Sequence, residues 1–158
     1  MFVLPENINL IAYDFDGVMT DNKVYVDQNG NEMVQVNRAD GLGISEIKKL
    51  GIEQIIISTE KNPVVSARAK KLKIKCFQNI DDKREFLIDY CNNKFDLNKV
   101  IFVGNDTNDE EVMGIVGVSL CPSDAVNRIK KKSDYIFTSK GGEGVARELL
   151  SLIKKKRN

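Results

Sequence analysis

Short apolar runs alternate along this chain with stretches of helical spacing. Residues 8–13, 54–57, 100–103 and 116–120 read as buried strands, and 135–137 as a shorter one. Helical spacing covers 43–50, 63–72, 83–92, 109–114, 125–131 and 143–153. Pro63 suits a first helical turn, and Asp124 is the expected N-cap of the fifth helix. Strands that are apolar throughout, separated by helices, predict a parallel sheet covered on both faces. One segment breaks the alternation. Residues 23–27 and 32–36 are β-prone runs around Gln28-Asn29-Gly30-Asn31, which predicts a β-hairpin just after the first strand. The expected architecture is α/β: a single Rossmann-like, doubly wound parallel sheet over residues 1–158, with a small hairpin flap at about 23–36.

Length and composition agree with one domain. The chain has 158 residues, 42% hydrophobic and 30% charged, enough to bury one core. A net charge of +1 supplies no field to recruit nucleic acid. The basic clusters Lys130-Lys131-Lys132 and Lys154-Lys155-Lys156-Arg157 fit solvated helix ends, where cations suit the dipole. No apolar run reaches the ~20 residues of a membrane span, and the N-terminal residues lack the pattern of a signal peptide. Cys76, Cys91 and Cys121 form no CxxC pair and suggest a reducing, cytoplasmic setting. The chain begins with Met and is read as complete, with an excised domain of a larger synthetase as the alternative. Histidine is absent, which excludes Ser-His-Asp, Cys-His and His-ligated zinc chemistry.

The chemistry gathers where strands end. The first strand runs into Asp14-Phe15-Asp16-Gly17-Val18-Met19-Thr20-Asp21. Carboxylates at the end of a buried strand must be solvated, paired or metal-bound. A calcium loop does not fit: counted from Asp14, position six is Met19 and position twelve Tyr25. The second strand ends in Ser58-Thr59-Glu60, Lys83 follows Asp81-Asp82 at a helix start, and the strand after it ends in Gly104-Asn105-Asp106-Thr107-Asn108-Asp109. Doubly wound topology brings these ends to one edge. Two acidic loops there need a cation between them, and oxygen-only donors favour Mg²⁺.

This order of motifs resembles the haloacid dehalogenase superfamily of phosphatases, over essentially the whole chain. The resemblance implies that Asp14 is the nucleophile and that Asp16 is the general acid, then base. It implies that Ser58, with Thr59 as a nearby alternative, and Lys83 bind the phosphoryl group. Mg²⁺ would be held by Asp14, the Asp16 backbone carbonyl and the loop of Asn105 and Asp106. Many members read Gly-Asp-Asp where this chain has Gly104-Asn105-Asp106, so Asp106 or Asp109 is expected to take more of the electrostatic load.

With room only for a hairpin in the first insertion, and for a helix and short strand between Thr59 and Lys83, no cap domain is expected. The chain resembles the capless subclass. That group includes 3-deoxy-D-manno-octulosonate 8-phosphate phosphatase, the 2-keto-3-deoxynononate and sialate 9-phosphate phosphatases, and the C-terminal domain of some acylneuraminate cytidylyltransferases. It implies a homotetramer joined by the hairpin and a phosphorylated sugar acid as substrate. Arg147 is then expected near substrate at a subunit boundary. Arg68 and Lys71 are candidates for a sugar carboxylate, though both also suit a solvated helix face. Glu60, where octulosonate enzymes usually carry Arg, favours a hydroxyl or amine donor and so a nonulosonate 9-phosphate, with octulosonate 8-phosphate as runner-up. Two readings of another class remain: a receiver-type signalling module, disfavoured because the acid pair ends the first strand, and a non-catalytic oligomerisation domain, favoured only by Asn105.

Overall fold

A computed structural model describes residues 3–157. Its elements run β1 (Leu10–Tyr13), β2 (Tyr25–Val26), β3 (Glu32–Met33), α1 (Arg38–Lys49), β4 (Glu53–Ile57), α2 (Val64–Leu72), β5 (Lys75–Phe77), α3 (Lys83–Cys91), β6 (Val100–Val103), α4 (Glu110–Met113), β7 (Val118–Cys121), α5 (Asn127–Lys132), β8 (Tyr135–Ile136) and α6 (Val145–Arg157). Six strands form one sheet in the order β5-β4-β1-β6-β7-β8, every pair parallel.

Both faces of the sheet are covered, and the two-residue period of the strands divides the core. Ile11, Tyr13, Ile56, Ile101, Val103 and Leu120 pack with Ile44, Ile47, Val65, Leu149 and Ile153 of α1, α2 and α6. Leu10, Ala12, Ile55, Ile57, Val100 and Phe102 pack with Leu87, Val112 and Ile129 of α3, α4 and α5. Each fully buried large side chain contributes roughly 1.5–3 kcal/mol. Two polar side chains beside the first core satisfy each other: the Tyr13 hydroxyl donates to Gln54 Oε1 at 3.0 Å, and Gln54 Nε2 donates to the Ile44 carbonyl at 2.9 Å.

Several helix boundaries depart from the sequence pattern; α6, for one, runs Val145–Arg157 where the spacing covers 143–153. α1 starts at Arg38, not at 43, because Asn37 is extended and its Oδ1 accepts from Ala39 N at 2.8 Å. Gly41 and Gly43 lower helix propensity but do not end it; Gly43 lets α6 approach, since a Cβ there would lie 2.6 Å from the Ala146 carbonyl carbon. Asp124 is not the N-cap of α5. Val126 is, without a side-chain bond, and Asp124 Oδ1 instead accepts from Gly141 N at 2.9 Å.

The hairpin forms as expected but is shorter. β2 and β3 pair antiparallel, Tyr25 with Met33 and Val26 with Glu32. Asp27 Oδ1 accepts from Asn29 N at 2.8 Å and Asn31 N at 2.9 Å, and Gly30 takes the positive φ of the turn. Val24, Tyr25, Val26 and Met33 are exposed on it. Among the described residues, no helix is long and apolar enough to cross a membrane.

Candidate active site

β1 lies at the topological switch. The chain passes from β1 outward to β4 and β5, then crosses back to β6, β7 and β8. The carboxyl ends of β1, β4 and β6 therefore splay apart and open a crevice. Asp14 follows β1, Ser58 follows β4, and the Gly104–Asp109 loop follows β6. These loops line a cleft of about 310 Å³, bounded by Asp14, Asp16, Ser58, Thr59, Glu60, Asn105, Asp106 and Asn108, with Asn22, Val24 and Glu32 on the flap side.

Lys83 lies beneath it at the first position of α3, fully buried. Its ammonium is 2.8 Å from Asp14 Oδ1 and 2.7 Å from Asp109 Oδ1. Burial alone would lower the Lys83 pKa; the two carboxylates overcome it and leave the pKa raised. Asp14 is pushed up to about 7, first by burial and then by Asp109, against the pull of Lys83. Asp16 is half-buried and also raised: burial is the main cause, Thr20 opposes it, and Glu60 and Glu32 add to it.

The loops are shaped by short-range bonds that the sequence hides. Thr20 Oγ1 accepts from Gly17 N and Asn22 N, each at 3.2 Å, and donates to Asp16 Oδ1 at 3.3 Å. Asp109 Oδ2 accepts from Asn105 N at 2.9 Å and Asp106 N at 3.4 Å. Gly104 allows this, because a Cβ there would lie 2.6 Å from Asp109 Cβ. Ser58 Oγ accepts from Glu60 N at 3.1 Å. Glu60 Oε1 accepts from Asn62 N at 3.1 Å, and Asn62 Nδ2 donates to Glu32 Oε2 at 3.4 Å, tying the β4–α2 loop to the flap.

The donor set fits Mg²⁺. The end of the Asn105 carboxamide faces the Asp16 carbonyl oxygen and Asp14 Oδ2. Its hydrogen bonds are satisfied with Nδ2 turned toward both oxygens; presenting Oδ1 instead, it would add a third hard oxygen donor to theirs, a set that suits a small divalent cation. Among the described residues no three His, Cys, Asp or Glu side chains form a metal cage. Mg²⁺ does not need one: it keeps several waters and takes few protein carboxylates.

The residues expected from sequence divide in two. Asp14, Asp16, Ser58, Thr59, Glu60, Asn105 and Asp106 line the cleft, with Lys83 under Asp14. Arg68, Lys71 and Arg147 are not among the residues that line it. Arg68 donates from Nη2 to the Asn37 carbonyl at 2.9 Å, while Lys71 and Arg147 are exposed on α2 and α6. Thr20, Glu32 and the double role of Asp109 were not singled out from sequence. Asp109 carries a signal in retrospect, an acid three residues after Asp106, which is the spacing of the capping box it makes.

Residues 47–149 match the family model described as haloacid dehalogenase-like hydrolase. The chain is a haloacid dehalogenase-like hydrolase. Its relatives within that family are of two lengths. It is 34% identical over 152 residues to the 3-deoxy-D-manno-octulosonate 8-phosphate phosphatase of Yersinia pestis, covering 93% of this chain and 80% of that protein. It is 31% identical to N-acylneuraminate cytidylyltransferase A of Danio rerio, covering 96% of this chain but only 37% of that longer protein. Among solved structures of the family, the octulosonate 8-phosphate phosphatase of Moraxella catarrhalis, in complex with magnesium, phosphate and KDO, superposes with a TM-score of 0.90. That match has 31% identity and covers 94% of this chain and 87% of that one.

Proposed function

We propose that this hydrolase is a Mg²⁺-dependent phosphatase that removes the terminal phosphate of a 2-keto-3-deoxy sugar acid, with a nonulosonate 9-phosphate preferred. The observation that carries the reading is Asp14, held on one side by Lys83 and facing on the other the Asn105 carboxamide, which also meets the Asp16 carbonyl. Asp14 attacks phosphorus and the ester P–O bond breaks, giving an aspartyl-phosphate. Asp16, whose raised pKa helps it keep a proton, donates that proton to the leaving alkoxide. Asp16 then takes a proton from water, the hydroxide attacks phosphorus, and Asp14 leaves as a carboxylate. Ser58 and Lys83 hold the transferring oxygens. Bound Mg²⁺ supplies positive charge that keeps Asp14 ionised and offsets its repulsion from the phosphate dianion. Asp14, Asp16, Asn105 and Asp106 are the residues that would hold it.

Two features support the substrate class. The full-length relatives act on a phosphorylated eight-carbon sugar acid, by their names. Glu60 on the cleft wall suits the hydroxyl donors of a polyol tail entering phosphate first. The eight-carbon substrate stays as the second reading because those relatives carry it. The test is phosphate release with Mg²⁺ from 2-keto-3-deoxynononate 9-phosphate, N-acetylneuraminate 9-phosphate, octulosonate 8-phosphate and an aryl phosphate. Turnover of one sugar acid, lost in Asp14→Asn and on adding EDTA, is the expected result. A tenfold preference for the eight-carbon ester would reverse the order. No turnover of any, with Mg²⁺ saturating and the protein folded, would turn the reading to an oligomerisation domain.

A further inference from the structure

The Asn105 carboxamide can present either its oxygen or its nitrogen to the site, with opposite chemistry. The residue is 7% exposed, pinned by its own backbone N–H to Asp109 Oδ2 and packed against Gly17. With the carboxamide oxygen inward, it faces the Asp16 carbonyl and Asp14 Oδ2, oxygen against oxygen. Turned over about its terminal bond, Nδ2 donates to the Asp16 carbonyl at 2.9 Å and to Asp14 Oδ2 at 3.1 Å. Both ends of the turned amide then face complementary groups. An ionised aspartate at this position presents oxygen in either orientation and donates no hydrogen bond.

We infer that Asn105 is a reversible amide latch on the cation site. This rests on the Mg²⁺-dependent reading above. Without a divalent cation, the inward Nδ2 bridges Asp14 and the Asp16 carbonyl, so the nucleophile loop and the Gly104–Asp109 loop stay joined. Cation entry turns the amide, and Oδ1 takes the inward place. The cation must therefore displace two hydrogen bonds, one of them to a charged oxygen. The site stays assembled without metal, and Mg²⁺ affinity is lower than a carboxylate at the same position would give.

The test follows the Asn105 side-chain amide in ¹⁵N-labelled wild-type protein, with its resonances assigned from the backbone. In EDTA its two protons are expected to be protected from solvent exchange. At saturating MgCl₂, with no substrate present, their exchange should quicken tenfold or more. Calorimetry with Mg²⁺ alone supplies the second readout: Asn105→Asp should bind at least tenfold tighter, melt lower in EDTA, and gain more from Mg²⁺ than wild type. Equal protection of the amide with and without Mg²⁺, while calorimetry reports binding, would overturn the latch and leave the phosphatase reading standing. Absence of Mg²⁺ binding to either protein would overturn the cation reading itself, and phosphate release would then judge the activity separately.

Discussion

Removing the Lys83 ammonium leaves Asp14 and Asp109 facing each other, buried and without a counter-charge. Lys83→Met should cost about 3–5 kcal/mol of stability, read by urea denaturation, because the loss of one partner strands the others. Phosphate release should fall with it. Gly17 answers to a different constraint. Its φ is +79°, and a Cβ would fall 2.0 Å from Asn105 Nδ2. Gly17→Ala is therefore expected to cost at least ~1 kcal/mol in backbone strain and to push Asn105 out of register. The expected signature is a weaker Mg²⁺ affinity together with a lower melting temperature. Asp14, Asp16, Lys83 and Asn105 were legible in the sequence because each sits in a motif at a strand end or helix start. Thr20 was not, since a hydroxyl that shapes a loop has no periodicity. The partners of Arg68 were not either, because amphipathic spacing says which helix face a side chain occupies and not which carbonyl it meets.

At the scale of elements, α1 and α6 approach closely at Gly43, where a Cβ would lie 2.6 Å from the Ala146 carbonyl carbon. Gly43→Ala should overpack this joint and cost roughly 1–3 kcal/mol, measured by thermal or urea unfolding. Asp40 lies in the same joint, buried at 1% exposure, with Oδ1 accepting from Ala146 N at 2.9 Å and Oδ2 without a hydrogen-bond partner. Burial pushes its pKa up to about 6 from 3.8, against the Ala146 bond and Arg68. A carboxyl raised on folding favours the native state while protonated. Its contribution is full below about 4 and gone once the pH has passed about 6. In melting curves taken from pH 4 to 8, Asp40→Asn should therefore gain on wild type between pH 4 and 6 and hold a constant difference above. A constant difference across the whole range would sink the assignment. The six helices described and the strands other than β5 were legible from apolar runs and spacing; β5, three residues without an apolar run, was expected only as a short strand somewhere before Lys83. The helix starts were less so, because α1 and α5 begin where caps and distant loops decide: Asn37 in one case, the diversion of Asp124 to Gly141 in the other.

At the scale of the molecule, both core layers share one sheet, which predicts a single cooperative unfolding transition over the described chain. The flap stands apart from that sheet and exposes Val24, Tyr25, Val26 and Met33. A homotetramer joined through the flap is the proposed use of this surface. Tyr25→Glu with Met33→Glu should then give a single-chain mass in sedimentation and reduce turnover, while leaving the melting of the sheet intact. An unchanged mass would reject the flap as the joint. The sheet order and switch point were readable from the alternation of elements. How the far end of the chain meets the near end was not, because that contact is backbone on backbone. Gly142 N donates to the Val18 carbonyl at 3.0 Å, and a Cβ on Gly141 would lie 2.1 Å from the Gly17 carbonyl. The loop that carries Asp16 thus leans on residues more than a hundred positions later. During synthesis β1 leaves the ribosome more than a hundred residues ahead of Gly141 and Gly142. The turn that carries Asp16 gains this buttress only once those residues have followed, so a stop codon anywhere between them would leave Asp14 and Asp16 on an unsupported loop.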